Sequence, residues 1–174
     1  MAKVSIGSIS TGTLRTEDLL EAFAEELHRL DPASDLPEDV EKLRSSSHDM
    51  EDSDDGFGEH CLSCGDYEND LDLLCSEASE RIREQASYMV NEQLFDALNE
   101  FSPPFVYFGS HPGDGSDFGY WPDVDALEEE MRDAEDTDDA DTKYLPDTNV
   151  LVQVSDHGNI LVMDMDRREL WSCV

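Results

Sequence analysis

Three short segments of this sequence carry side chains that could hold a metal ion or move a proton. In the first, His60, Cys61 and Cys64 have the spacing of one half of a zinc site. A closed structural zinc site needs four ligands, and the sequence has no second pair with matching spacing. Free thiols at the edge of a loop account for the same residues. We therefore predict no metal centre, with zinc at Cys61 and Cys64 as the alternative.

The second segment, from Asp49 to Glu59, could supply carboxylate ligands to calcium. An EF-hand loop requires glycine at its sixth position and glutamate at its twelfth. If Gly56 takes the sixth position, Leu62 takes the twelfth, so the pattern fails. We expect only weak, nonspecific binding of divalent cations here.

The third segment lies between Gly109 and Gly119 and contains His111, Asp114 and Asp117. These side chains could form an acid–base pair or ligate a metal. In the favoured alternative they belong to a turn-rich connection, in which aspartates cap backbone amides. The glycines lack the lysine of a phosphate-binding loop, and no nucleophile elbow or zincin helix occurs. We therefore expect no catalytic residue and no cofactor, so the protein is not expected to be an enzyme.

The charge of the chain is its most unusual property. Its 44 Asp and Glu residues outnumber 11 Lys and Arg residues, which gives a formal net charge of −33. Duplex DNA of about 16 base pairs carries the same charge. Nucleic acids and anionic membranes would be repelled, so neither is expected as a direct partner. A basic protein surface is the expected partner.

The compartment follows from what the sequence lacks. No apolar run approaches the roughly 18 residues that span a bilayer, and residues 1–5 lack the apolar core of a signal peptide. The four cysteines are too few and too irregular for the disulfide framework of a secreted domain. We expect a cytoplasmic protein, in a host cell if a phage encodes it.

Helical periodicity dominates the first two thirds of the chain. Residues 16–30 carry a leucine-rich apolar stripe, and a shorter helix is predicted to start at Pro37. Residues 45–60 are predicted to be a mobile acidic loop, since they contain almost nothing to bury. Residues 69–101 keep helical spacing throughout and predict one long helix, with a break near Ser87 as the alternative.

Strand patterns occur at the start of the chain and in its last third. Short strands are predicted over residues 4–10 and 105–108, the latter followed by a glycine-rich loop over residues 109–119. In the acidic segment 123–142 the first half is predicted to be an amphipathic helix and residues 136–141 a loop. The last 25 residues predict a three-stranded antiparallel meander. The expected fold is α+β: N-terminal helices, one of them long, packed on a C-terminal antiparallel β-meander, in a single domain over residues 1–174.

Two segments carry a resemblance to known proteins. Residues Ser10–Leu19 and Tyr107–Trp121 are similar to parts of small uncharacterised proteins of phages and mobile elements. This resemblance implies a mobile-element context and supplies no activity or site. In size and charge the chain also resembles DNA-mimic inhibitors of host defence, the anti-restriction and anti-CRISPR proteins. That resemblance implies an inhibitor whose carboxylates take the place of phosphates.

We therefore expect a DNA mimic that occupies the basic groove of a nucleic-acid-binding protein. A helix would hold its carboxylates in register, so the acidic segment after Trp121 and the acidic loop over residues 45–60 are the expected contact surfaces, with the exposed face of the first helix as a further row. The expected contact residues are Asp123, Asp125, Glu128, Glu129, Glu130, Asp133, Glu135, Asp136, Asp138, Asp139, Asp141, Asp49, Glu51, Asp52, Asp54 and Asp55.

Salt adaptation and a role as an acidic binding partner stay open as alternative causes of the charge. Aspartate outnumbers glutamate by 25 to 19, and only three lysines occur, which also suits adaptation to a high-salt cytoplasm. An antitoxin or an adaptor for a basic protein would show the same electrostatics without DNA-like geometry. A homodimer would double the charged surface, and dimers are common among soluble proteins.

Overall fold

The structure is a computed structural model that describes residues 3–51, 71–137 and 141–173. These residues form two compact units, each defined by the contacts among its own residues. One unit runs from Leu14 to Ala97 and is helical. The other combines the residues up to Thr13 with those from Leu98 onward and contains the strands. Contacts within each unit do not determine whether the two units unfold together, so a single domain over residues 1–174 stays a prediction.

The helical unit begins with α1 (Thr16–Leu30). Its predicted apolar stripe is buried, from Leu19 through Phe23 to Leu30. Glu17 and Asp18 lie in the first turn, and His28 and Arg29 lie in the last turn, so the charges at both ends complement the helix dipole. Because the stripe recurs every three or four residues, this helix could be predicted from the sequence alone.

The second helix corrects one prediction. Helix α2 (Leu36–Glu51) includes the first residues of the segment that we predicted to be a mobile acidic loop over 45–60. No glycine or proline occurs between Lys42 and Glu51, and serine and aspartate lower helix stability only slightly. The helix therefore continues after its buried residues, Val40 and Leu43. The rest of the predicted loop lies outside the described residues.

The long predicted helix is interrupted from Met89, close to Ser87, where the sequence left a break open as the alternative. Helix α3 (Leu71–Tyr88) leads into a π-helical segment (Met89–Leu94), and α4 (Phe95–Glu100) follows it. The Asn91 side-chain amide donates hydrogen bonds to the Ser87 carbonyl, at 2.8 Å, and to its hydroxyl, at 3.1 Å. A side chain that competes for an acceptor in this way loosens the regular helical bonding. Met89, Val90 and Leu94 are nevertheless buried.

The other unit contains a three-stranded antiparallel sheet in the order β1 (Gly7–Ser10), β3 (Asp114–Pro122), β2 (Val106–His111). The predicted strand at the start of the chain is confirmed. The predicted glycine-rich loop over residues 109–119 is wrong, because β2 and β3 form a hairpin around a two-residue turn, Pro112–Gly113. Glycines in this segment belong to paired strands, which local composition does not reveal.

After β3, the chain enters α5 (Val124–Arg132) and then a second antiparallel sheet. Its strand order is β4 (Glu135–Asp136), β5 (Thr142–Leu145), β6 (Val150–Val154), β7 (Ile160–Met163) and β8 (Glu169–Cys173). The helix and the last three strands were predicted correctly. The prediction of only three strands is wrong, because β4 and β5 belong to the same sheet. These two strands were missed because the acidic residues around them obscure the alternation of apolar and polar side chains that indicates a strand.

The α+β class is confirmed, with helices in the N-terminal and middle parts of the chain and an antiparallel sheet at its C-terminus. The sheet-containing unit has its own core. Phe108, Tyr120, Leu127, Leu145 and Val162 are each at most 2% exposed. Burial of such side chains stabilises a domain by about 1.5–3 kcal/mol each before conformational entropy is counted. Helix α5 therefore has a fixed support.

Candidate functional site

Helix α5 carries the strongest candidate surface, and contacts at its first turn and on its inner face hold the helix in place. Asp123 caps its first turn, with one carboxylate oxygen accepting a hydrogen bond from the Ala126 N–H at 3.0 Å. The Asp123 N–H itself donates to the Phe105 carbonyl at 2.8 Å. Leu127 is only 1% exposed and anchors the inner face. The cap and the buried leucine together determine which side chains of the helix point outward.

Glu130, which the sequence placed among the contact residues, points inward instead. Its carboxylate accepts hydrogen bonds from the Thr148 backbone N–H at 3.0 Å and from the Thr148 hydroxyl at 2.9 Å. The side chain is half-buried and ties α5 to the turn between β5 and β6. We therefore leave Glu130 out of the candidate interaction surface.

Replacing Glu130 by alanine should lower the free energy of unfolding by about 1–2 kcal/mol, because a carboxylate that accepts two hydrogen bonds is lost. Glu129→Ala is the matched control, since Glu129 is the exposed neighbour in the same helix, and it should change stability by less than about 0.5 kcal/mol. Urea denaturation followed by tryptophan fluorescence measures both. Equal losses in the two variants would show that the Thr148 contact has no special role.

The outward side of α5 and its C-cap residue carry four exposed carboxylates, which we call the acidic row: Asp125, Glu128, Glu129 and the C-cap Asp133. The four residues span a rise of about 12 Å, so successive carboxylates are on average about 4 Å apart along the helix axis. Arg132 is exposed on the same side, so the row and this arginine together carry a net charge of −3 over about the same length. One strand of duplex DNA has a phosphate every 3.4 Å or so. The linear charge densities are therefore comparable.

No member of the acidic row forms an ion pair or hydrogen bond through its side chain with another residue of the described ranges. Like charges four residues apart, such as Asp125 and Glu129, destabilise a helix by a few tenths of a kcal/mol. The cap and the buried leucine offset this repulsion. The row is thus a set of carboxylates without ion-pair partners in the described ranges, on a fixed support, with Arg132 as the one cation on the same side of the helix.

The remaining predicted contact residues are in several places. Asp123 is exposed but acts as the helix cap, and Asp141 is exposed just before β5. The backbones of Glu135 and Asp136 form β4, and those of Asp49 and Glu51 belong to α2. Some of the predicted contact residues and both cysteines of the alternative zinc site lie outside the described part of the chain: Asp52, Asp54, Asp55, Asp138, Asp139, Cys61 and Cys64.

The exposed face of α1 is less negative than its sequence indicates. Arg29 forms two hydrogen bonds with Glu26, at 2.6 Å and 2.7 Å, and Arg15 pairs with Glu17 at 3.0 Å. In α2, Lys42 pairs with Glu38 and Asp39, and these contacts, led by the Asp39 hydrogen bond, raise the pKa of Lys42. These cations of the helical unit are thus paired within their own helices or beside them.

The side chains of the predicted acid–base segment mostly stabilise the β2–β3 turn. The His111 ring accepts a hydrogen bond from the Gly113 N–H at 3.0 Å, and Asp114 accepts from the Ser116 N–H at 3.0 Å and its hydroxyl at 2.8 Å. These Ser116 contacts, the backbone one first, lower the pKa of Asp114. The described ranges contain no group of three or more His, Cys, Asp or Glu side chains arranged to hold a metal ion. The turn accounts for His111 and Asp114, although Asp117 has a different environment.

One face of the β1–β3–β2 sheet gathers a set of half-exposed side chains, which we call the aromatic face: Tyr107, His111, Asp117 and Trp121. The register pairs Tyr107 with Trp121 across the strands, and the rings of His111 and Trp121 meet edge to face with their centroids 4.5 Å apart. The Trp121 indole N–H donates to the Gly109 carbonyl at 2.9 Å. Partial burial, and then the charge of Asp123, raise the pKa of Tyr107.

Asp117 carries the one carboxylate of the aromatic face, and its hydrogen bonding is incomplete. One of its oxygens accepts a hydrogen bond from the Ser8 hydroxyl at 3.0 Å. The other oxygen is buried and has no hydrogen-bond partner. Leaving a buried acceptor unpaired costs about 1–3 kcal/mol, and more when the group is charged. This oxygen is not accessible to solvent, so a ligand can supply the missing donor only after the Asp117 side chain turns toward the open face of the sheet.

Sequence reasoning missed the aromatic face, although it had named two of its four residues as a candidate acid–base pair. The segment was predicted to be a loop, and a loop does not bring Tyr107 beside Trp121. The usable signal was a short turn, Pro112–Gly113, between two runs that contain aromatic residues, which favours a hairpin. A hairpin register would have placed Tyr107, Asp117 and Trp121 on one side.

Comparisons with known proteins assign no relative to this fold or to either surface. No family model, curated protein or solved structure matches the chain. In the part of the chain that the structure describes, no helix combines the length and the apolar character that crossing a membrane requires. The function must therefore be inferred from the surfaces themselves.

Proposed function

We propose that the protein is an acidic DNA mimic that inhibits a basic nucleic-acid-binding protein, such as a host defence enzyme of the restriction or CRISPR type. The acidic row occupies the groove in which the target holds a DNA strand. Each carboxylate takes the place of a phosphate and pairs with Lys or Arg side chains of the target. The inhibitor acts in the cytoplasm, by excluding DNA from the target rather than by a chemical reaction.

The observation that carries this proposal is the charge spacing along α5. Four exposed carboxylates follow one another about 4 Å apart along the helix axis, against about 3.4 Å for the phosphates of a DNA strand, and Asp123 and Leu127 hold the helix in place. A merely solubilising surface has no need for such a fixed arrangement. The net charge of −33 adds long-range attraction, which accelerates encounter with a basic target.

An inhibition assay tests the proposal with variants that remove the same number of charges. The immobilised protein is first used to recover basic nucleic-acid-binding proteins from a nuclease-treated bacterial lysate. Duplex binding by the recovered protein is then measured at increasing inhibitor concentration. The variant Asp125→Asn, Glu129→Gln and Asp133→Asn should weaken inhibition about 10-fold, if each exposed pair contributes about 0.5 kcal/mol.

The matched control removes three exposed carboxylates elsewhere, in the variant Glu100→Gln, Asp96→Asn and Asp156→Asn. It leaves the same net charge as the first variant, so a DNA mimic should retain inhibition within about 2-fold. Equal weakening by both variants would mean that bulk charge alone attracts the target. If no basic nucleic-acid-binding protein is recovered, the proposal fails at the first step.

Competition separates a mimic from an acidic adaptor or antitoxin. A mimic and DNA exclude one another, so the apparent inhibition constant should rise in proportion to the concentration of competing DNA. An adaptor that binds elsewhere would form a ternary complex with the target and DNA. Size-exclusion chromatography with labelled duplex distinguishes the two, and co-elution of all three components would contradict mimicry.

A further inference from the structure

We infer that the aromatic face of the β1–β3–β2 sheet is a receptor for an arginine side chain of the basic partner. The inference deepens the proposed function and rests on it, since it requires a partner with a basic surface. The acidic row supplies charge attraction along a helix. The aromatic face supplies a defined position for one guanidinium group.

The aromatic rings are partly exposed and already fixed in position. On the other side of the same sheet, Val106, Phe108 and Tyr120 are buried, so the sheet already has its core there. Tyr107 and Trp121 are half-exposed on the open side. The indole N–H is held by the Gly109 carbonyl, and the His111 ring packs against the indole. The tryptophan is thus fixed before any ligand arrives, which lowers the entropy cost of binding.

The unpaired oxygen of Asp117 supports the inference independently. The hydrogen bond from Ser8 holds one carboxylate oxygen in position, and the other oxygen is buried without a donor. Leaving a charged acceptor buried and unpaired is unfavourable, so a ligand that brings an N–H donor favours turning of this carboxylate toward the open face of the sheet. The aromatic rings on the same side of the sheet favour a cation.

Arginine meets both requirements in one side chain. Its planar guanidinium stacks on an aromatic ring and at the same time donates N–H groups in a fixed plane, whereas a lysine ammonium acts as a point charge. The carboxylate of Asp123, which contributes to the raised pKa of Tyr107, adds negative charge beside the rings. An anionic ligand would be repelled there. A neutral saccharide could stack on the rings, but it would gain nothing from the surrounding charge.

Peptide binding tests the inference without knowledge of the natural partner. The probes are a Gly-Ser-Arg repeat peptide, the same peptide with lysine, and the same peptide with citrulline, a neutral isostere of arginine. Calorimetry measures affinity, and tryptophan fluorescence reports on the aromatic face, because Trp171 is only 2% exposed. The arginine peptide should bind about 5- to 10-fold more tightly than the lysine peptide and should change the fluorescence.

Two variants of the aromatic face should remove this preference for arginine. Asp117→Asn keeps an oxygen for Ser8 but loses the charge, and Trp121→Leu removes the ring. Each should bring the arginine and lysine affinities within about 2-fold of one another. Circular dichroism checks that each variant is folded. If Trp121→Leu does not fold, Asp117→Asn decides the test alone.

The acidic-row variant distinguishes failure of this inference from failure of the proposed function. It should weaken the arginine and lysine peptides by the same factor and leave their ratio unchanged. A wild-type ratio near one, an unchanged ratio in Asp117→Asn, or equal binding of the citrulline peptide would overturn the arginine receptor. The proposed function would survive those results if the acidic-row variant still weakened binding. Absence of binding to any basic peptide would overturn both.

Discussion

Replacing Gly119 by alanine should lower the free energy of unfolding by about 3 kcal/mol and detach β1 from the sheet. Gly119 lies in the middle strand, β3, and pairs with Ser8 of β1 on one side and Gly109 of β2 on the other. A β-carbon at this position would overlap the Gly7 carbonyl oxygen and would lie 2.8 Å from the Ser8 Cα. Both are backbone atoms, so no side-chain rotation can relieve the overlap.

Detachment of β1 should also disrupt the aromatic face. The Ser8 hydroxyl that positions Asp117 is on β1, so displacement of β1 would leave both carboxylate oxygens without a partner. The pairing of β2 with β3 does not involve Gly7 or Ser8, and we expect it to persist. Gly119→Ala should therefore weaken the preference for the arginine peptide even at temperatures where the protein is folded.

Gly115→Ala is the matched control in the same strand. A β-carbon there would have no atom within 4 Å, and the residue does not need the left-handed conformation. The substitution should be neutral or stabilising by a few tenths of a kcal/mol, because alanine restricts the unfolded chain. Thermal and urea unfolding measure both variants. A Gly119→Ala protein as stable as Gly115→Ala would mean that β1 does not approach β3 as closely as the structure has it.

The second large effect concerns salt. A DNA mimic must work at ordinary ionic strength, so the protein should be folded and melt cooperatively in about 0.1 M NaCl. Raising the salt to about 2 M should raise the melting temperature, since the repulsion among a net charge of −33 is screened. A salt-adapted protein would instead be unfolded at the lower concentration. Circular dichroism during heating at both concentrations distinguishes mimicry from salt adaptation.

Raising the salt concentration should lower the affinity for the basic target, although it raises the melting temperature. If the four carboxylates of the acidic row behave like four phosphate contacts, affinity should fall by roughly 100-fold between 50 mM and 200 mM salt. The acidic-row variant should show a shallower dependence, because three of those contacts are lost. Fluorescence anisotropy at a series of salt concentrations measures the slope. An affinity that does not respond to salt would rule out a mainly electrostatic mechanism.

Several features of the protein could be predicted from the sequence because they depend on local patterns. The apolar stripe of α1, the amphipathic pattern of α5 and the hairpin signals of the last strands arise from residues close together in the chain. The turn between β6 and β7 is an example: Ser155 and Asn159 are hydrogen-bonded through their backbones, and Gly158 has the positive φ that favours glycine. The charge itself also needs no structure.

The same local reasoning failed where a partner distant in sequence decides the outcome. The glycine-rich segment after Phe108 became part of a sheet in which β1, about 110 residues earlier in the chain, pairs with β3. Strand β5 escaped prediction because its pairing with β6, rather than its own composition, makes it a strand. Cross-strand pairing is a tertiary property, and residue propensities describe it poorly.

The chain's amino-acid sequence by itself determined that the surface is strongly negative, that a helix follows Asp123, and that its outer side is acidic. Only the tertiary structure decided which carboxylates of that helix are free. Thr148, on a turn 18 residues away, donates two hydrogen bonds to the Glu130 carboxylate, which is therefore not available to a partner. The remaining carboxylates stay exposed: Asp125, Glu128, Glu129 and Asp133. Helical periodicity shows which residues share a side, but hydrogen bonds from distant residues determine which charges remain for a partner.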